Sequence, residues 1–466
     1  MESLNNVFGN AVSVVDGKVS VKDESALQSD AMDRFVRAAV FGSQDQKDFA
    51  RWLVWELGQA VGVRPASIHD LYMARGRGEV RGFTVPAINV RGMAYDTGRA
   101  IFRTAIKLKA GAFILEIARS EIGYTEQRPG EYVSVMLAAA LREGFRGPLF
   151  IQGDHFQVNH KKFAADSVTE VDAVKSLVRE AVAAGFYNID IDTSTLVDLK
   201  HKTLLEQQRL NYEVGIDILT TVRDVEPKGV TISVGGEIGE VGTENSTEPE
   251  LRAYMDGFRA KLPTGVIGLS KISVQSGTSH GGVVLPDGSI AEVALDLDTL
   301  ERLSRVARDE YGLAGAVQHG ASTLPDQAFN NFPKRETCEI HLATNFQNML
   351  YDALPVSLRD EVYGWLRENA KDERKEKDSD EQFYYKTRKK ALGPFKRKFW
   401  DMPADARARL GKTYDEKFEF LFRQLAIADT AKYVATHVKP VAIHRAPPGV
   451  GMATVAAAPD DTSLSD

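Results

Sequence analysis

The chain has one cysteine, Cys338, in 466 residues. No intrachain disulfide can form, and a reducing compartment is the expectation. Cys338 lies in the apolar-leaning run TCEIHLA, where a small core residue is expected rather than a catalytic thiol. No apolar run approaches the ~20 residues of a membrane span. The opening MESLNNVFGN has neither the basic nor the apolar region of a secretory signal. A cytoplasmic protein with no membrane partner is therefore expected. A basic surplus is missing too: the formal net charge of −7 argues against a general nucleic-acid binder, which needs a basic face. It leaves anionic small substrates open, because local groups meet those. A glycine-rich fingerprint of dinucleotide folds is also absent.

What is present is a globular composition, 43% hydrophobic and 26% charged. Eight short apolar runs are each followed by Gly or polar residues: FTVPAINV, AFILEIA, PLFIQGD, FYNIDID, GVTISVGGE, GVIGLSKISVQSG, GAVQHG and TCEIHLA. Between them lie helical periodicities such as 168–185 and 295–312. Strand and helix alternating eight times over ~250 residues predicts a (β/α)8 barrel, an α/β fold, in preference to a doubly wound open sheet. The barrel is placed at 81–354. A helical N-terminal extension covers 1–80, a charged helical arm 355–440, and a Pro/Ala/Gly/Ser-rich tail, expected to be disordered, 441–466. The mixed-sign run 367–390 reads as a solvated helix or mobile arm.

Catalytic residues of a barrel sit where strands end. The predicted strands end at Asn89, Asp154-His155, Asp192, Glu237, His280, His319 and Thr344-Asn345. Three imidazoles from different strands, His155, His280 and His319, with an open position form a catalytic zinc arrangement. The other histidines, His69, His160, His201, His437 and His444, are expected at the surface. The runs SHGG and HGAS expose backbone N–H groups. With Ser279, Ser322 and Thr344 they suit a phosphate after strands six to eight.

The pieces VPAINV, GDH, IDID, GGEIGEVGT, GTSHGG, VQHGAS and IHLATN occur in order over roughly 83–345. They resemble the class II, metal-dependent fructose-/tagatose-bisphosphate aldolases. The tail piece GPFKRKFWD also resembles longer members. The resemblance implies a lyase that reversibly splits a ketose bisphosphate into dihydroxyacetone phosphate and an aldehyde. It implies His155, His280 and His319 as zinc ligands and Asp154 as the acid/base for the substrate's C4 hydroxyl. Asp192 and Glu237 match acids of an alternative or second metal position, so a second divalent or a monovalent cation is an option beside Zn2+. Gly281, Gly320, Ser322 and Thr344 match the phosphate cradle, and Asn89 is read as a substrate contact. A homodimer or higher homo-oligomer is implied.

The chain departs from the family in places. His341 stands where an asparagine usually contacts the enediolate; it is read as a substrate contact or as an inert substitution. Ala343 replaces an aspartate, as in tagatose-type members, and a lysine after the strand-six HG is missing. The strand-five loop offers Glu240 or Glu244 as proton donor, or neither. Lys271 in LSKIS could be proposed as a Schiff-base lysine, but it reads as a charged residue near a strand start. Two other readings stay open: a zinc aldolase or epimerase of an unphosphorylated sugar or sugar acid, and a non-catalytic barrel subunit.

Overall fold

The computed structural model describes residues 7–239, 244–277, 284–287, 291, 295–449 and 457–463. Eight parallel strands close into a ring: β1 (Val85–Asn89), β2 (Ile114–Ala118), β3 (Gly147–Gln157), β4 (Asn188–Asp192), β5 (Ser233–Glu237), β6 (Lys271–Val274), β7 (Ala316–Gln318) and β8 (Glu339–Leu342). Each pairs with its successor, and β8 pairs with β1, so the expected barrel is what forms. Strands such as β2 and β4 are buried at every position, as strands enclosed on both faces must be.

The flanking helices have local start and stop signals. In helix Ser167–Ala184 the Asp166 side chain accepts from Thr169 N, and Gly185 ends it in the left-handed region. In Leu297–Asp309 the Asp296 side chain does the same for Thr299 N. Both are the expected chemistry of helix ends.

The first 80 residues carry the helices Asp30–Phe41 and Gln44–Val61, together with a hairpin, Val12–Val15 with Lys18–Val21. A further strand, Val63–Ala66, pairs with the first half of β3 outside the ring. Beyond the barrel, helix Ala404–Gln424 buries Leu410, Tyr414, Phe418 and Phe422. It is bound to helix Ala94–Leu108 by Arg103–Asp415 and Lys107–Glu419 ion pairs. The charged run 367–390 includes helix Asp380–Thr387, with Phe383 buried.

The composition of 441–466 predicts disorder, yet its described parts are docked. The indoles of Trp52 and Trp55 donate to the carbonyls of Arg445 and Ile443 at 2.9 and 2.6 Å, and Asp461 is buried beside Lys162 at 2.9 Å. Two buried indole donors and a lysine supply partners that composition alone does not reveal. No helix among the described residues is long and apolar enough to cross a membrane.

Candidate active site

The pair Asp154-His155 sits in a break of register. Gly153 pairs with Ile189 and Phe156 with Ile191, so two residues of β3 oppose one of β4. Such a bulge re-aims side chains that would otherwise alternate between faces. His155 takes φ 37, a left-handed conformation that costs a side-chain-bearing residue on the order of 1 kcal/mol or more. Glycine is required just before it: a β-carbon on Gly153 would lie 2.4 Å from the Phe156 ring. As a result, both Asp154 and His155 line one cavity at the strand ends, of about 340 Å3, with Asn89, Arg91, His319, Gly320, Ser322, His341, Ala343 and Thr344.

Each polar group there has defined partners. Asn89 Nδ2 donates to Asp154 Oδ2 at 2.8 Å and to Glu121 Oε2 at 3.0 Å. His155 Nδ1 lies 3.0 Å from Asp192 Oδ2 and 3.4 Å from Glu237 Oε2. Asp192 is fixed in turn by Ser194 and by Gln157 Nε2 at 2.5 Å. The His319 ring centroid is 4.1 Å from those of both His155 and His341, and its Nε2 is 3.0 Å from Ser273 Oγ. Thr344 opens helix Thr344–Ala353, and its N–H donates to Ser322 Oγ at 3.2 Å.

The electrostatics separate the acids. Burial raises the Asp154 carboxyl, but His155, His341 and His319 outweigh it and hold it well below the usual range. Asp192 is also lowered; burial opposes this, and the His155 hydrogen bond and charge prevail. Glu237 goes the other way: burial and the nearby Asp192 charge push it well above its usual value. A buried carboxylate in that state calls for a proton or a cation. His155, Glu237 and His319 bring one ligand atom each within 4.8 Å of one another, a nitrogen-and-oxygen donor set that suits Zn2+. The third expected ligand, His280, lies outside the described residues, as do Ser279, Gly281 and Glu240. Glu244 is exposed.

Beneath the mouth lies a charged layer that the strand-end reading missed. Glu116, Asp190, Lys271 and Glu339 come from β2, β4, β6 and β8, alternate strands, where a barrel usually stacks branched apolar side chains. Lys271 Nζ donates to Glu339 Oε1 at 2.5 Å, Asp190 Oδ2 at 2.9 Å and Gln152 Oε1 at 2.8 Å. Gly235 makes room for this layer, since a β-carbon there would lie 2.4 Å from Asp190 Oδ1 and 2.8 Å from Lys271 Cε. Lys271 does open its strand, as expected, and is wholly buried there. Burial lowers its ammonium, but Asp190 and Glu339 more than reverse this and hold it above the usual value, the opposite of what a Schiff-base amine needs.

The sequence signal for this layer was a charged residue in the interior of each of four apolar runs. Arg91 and Glu121, which pair beside Asn89, had no comparable signal. His69 departs from the surface expectation: it is buried on helix His69–Gly76. A second groove, about 910 Å3, lies on the flank between helices 94–108 and 404–424. Its arginines are taken up by Asp96, Asp415 and Glu143.

The family model for class-II fructose-bisphosphate aldolase matches residues 77–400, well over half of the chain. The chain belongs to that family. A fructose-bisphosphate aldolase from Giardia intestinalis (strain ATCC 50803 / WB clone C6) is 25% identical over 250 residues, covering 54% of this chain and 64% of that protein. The match thus takes in a little under two thirds of that relative's length. Two solved structures share the fold at a TM-score of 0.50. One is a fructuronate-tagaturonate epimerase from Cohnella laeviribosi, 12% identical over 85% of this chain and 86% of that one. The other is described as a probable tagatose 6 phosphate kinase from Sinorhizobium meliloti 1021, 16% identical over 77% and 95%.

Proposed function

We propose that the chain is a metal-dependent aldolase that reversibly cleaves a phosphorylated ketose, such as fructose 1,6-bisphosphate, into dihydroxyacetone phosphate and an aldehyde. The observation that carries this reading is the convergence of His155, Glu237 and His319 on one mouth with Asp154. His155, Glu237 and His319, with His280, would hold the metal. When bound, a divalent ion supplies Lewis acidity where negative charge develops as the C–C bond beside the carbonyl breaks. Asp154 takes the proton of the C4 hydroxyl in cleavage and returns it in condensation. Asn89 fixes one of its oxygens. Asp192 binds His155 through Nδ1, which turns Nε2 toward the mouth. Gly320, Ser322 and Thr344, at the start of helix Thr344–Ala353, cradle the phosphate of the dihydroxyacetone half.

A second reading, an aldolase or epimerase of an unphosphorylated sugar acid, is favoured by Arg91, a cation paired with Glu121 that lines the same cavity and whose side chain suits a carboxylate as well as a phosphate. The test is a screen of purified, zinc-loaded protein against ketose mono- and bisphosphates, with triose phosphate release as the readout, and against unphosphorylated sugar acids, with cleavage or epimerised product followed by chromatography. EDTA should abolish turnover and zinc should restore it. Turnover of sugar acids alone would put the second reading in place of the first, and full activity in protein shown by elemental analysis to lack metal would remove both.

A further inference from the structure

His341 lines the mouth with carboxylates at both of its ring nitrogens. Its Nδ1 lies 3.0 Å from Asp154 Oδ1 and 3.0 Å from Glu116 Oε1, and its Nε2 lies 2.8 Å from Glu339 Oε1. Both ring nitrogens therefore face carboxylate oxygens at hydrogen-bond distance. Glu339 is itself tied down, by the Lys271 ammonium at 2.5 Å and by the Tyr72 hydroxyl. Asn89 holds the other oxygen of Asp154. The Asp154 carboxylate is thus gripped at both oxygens, and one grip is anchored in the barrel's charged layer.

We propose that His341 is a positioning residue: tethered to Lys271 through Glu339, it fixes the Asp154 carboxylate in its proton-transfer orientation and does not itself touch the substrate. This rests on the aldolase reading for what Asp154 does, but not for how Asp154 is held. A carboxylate free to rotate spends less time aligned with the substrate hydroxyl, and misalignment lowers turnover without weakening binding. Asparagine at this position would keep a donor near the place of Nδ1 while losing the tether to Glu339.

The test compares zinc-loaded His341→Leu and His341→Asn with the parent. His341→Leu should lower kcat by roughly 10- to 150-fold, the effect of losing one charge-assisted hydrogen bond, with KM within about threefold and metal content unchanged. His341→Asn should recover only part of that loss, because it keeps a donor for Asp154 but not the tether to Glu339. In an Asp154→Ala background, adding His341→Leu should change kcat by less than about threefold, because the two act as one unit. A crystal structure of zinc-loaded His341→Leu needs no substrate and should show the Asp154 carboxylate rotated from its present orientation. An unmoved carboxylate overturns the proposal, as does a raised KM at unchanged kcat, loss of metal, or a full His341→Leu effect in the Asp154→Ala background. Undiminished cleavage by Asp154→Ala would instead sink the aldolase assignment of Asp154, and the crystal structure would still decide how that carboxylate is held.

Discussion

Replacing Lys271 by methionine keeps the length of the side chain and removes the one ammonium of the barrel's charged layer. Lys271 and Glu339 have no solvent exposure, and Asp190 has 7%. The substitution removes the ammonium's hydrogen bonds to two buried carboxylates and to the Gln152 amide oxygen. Breaking a buried pair from one side costs about 3–5 kcal/mol. Unfolding entropy near 2.1 cal/mol/K per residue makes that roughly 3–5 °C in Tm for the whole chain unfolding as one unit. The loss should depend on pH. Asp190 is already raised to about 6 by burial, even against the Lys271 charge, and removing that charge raises it further. A carboxyl whose folded pKa lies above its unfolded value destabilises progressively as pH rises between the two. The deficit should therefore grow as pH rises from 5 to 8, above a part already present at pH 5, because Glu339, held down at about 2 with the help of Lys271, is ionised there. The triple variant Lys271→Met, Glu339→Gln, Asp190→Asn should recover most of it. Thermal unfolding in EDTA, which keeps metal binding out of the comparison, reads the result. A Lys271→Met protein as stable as the parent at pH 8 would refute this account of the layer. Borohydride reduction in the presence of dihydroxyacetone phosphate should also leave Lys271 unmodified.

Other substitutions separate roles at the mouth. Asp154→Ala should lower kcat by roughly 10²–10⁴-fold with metal content retained, whereas His155→Ala should lose metal; identical metal content in the two, by elemental analysis, would undo that division. Ser322→Ala should reduce kcat/KM for a phosphorylated ketose by ~10- to 150-fold and leave an unphosphorylated analogue nearly unaffected, so equal losses on both would remove the cradle. His69 is pushed down to about 4, chiefly by burial and further by Arg223. Its folded pKa lies below the unfolded value, so the stability it carries is whole above pH 6.5 and is lost as pH falls toward 4. His69→Gln should thus flatten acid unfolding by about 2–3 kcal/mol over that window; urea midpoints that fall in parallel for both proteins would contradict it.

The barrel could be read because its strands are short, apolar and punctuated, and because the mouth residues fall where those strands stop. Asn89, Asp192, Glu237, His319 and Thr344 stand at or just past a strand end, whereas β3 runs on to Gln157 and holds Asp154 and His155 inside it, so position along the chain brought the first five together and the bulge brought the other two. The bulge was harder to read. Strict alternation would send Asp154 and His155 to opposite faces, and only Gly153 before a bulky Phe156 hints that the strand must break register there. The charged layer was not legible one strand at a time: a lone Glu, Asp or Lys in an apolar run looks like an edge residue turned to water. It becomes legible only when β2, β4, β6 and β8 are compared together, since their charges of opposite sign meet in the ring. Glu339 then carries the consequence upward through His341 to Asp154. A residue that looks like a departure from the family at the mouth is, in three dimensions, matched to the carboxylate beneath it. On this geometry the two positions are a unit, and a change at one is expected to be tolerated only with a compensating change at the other.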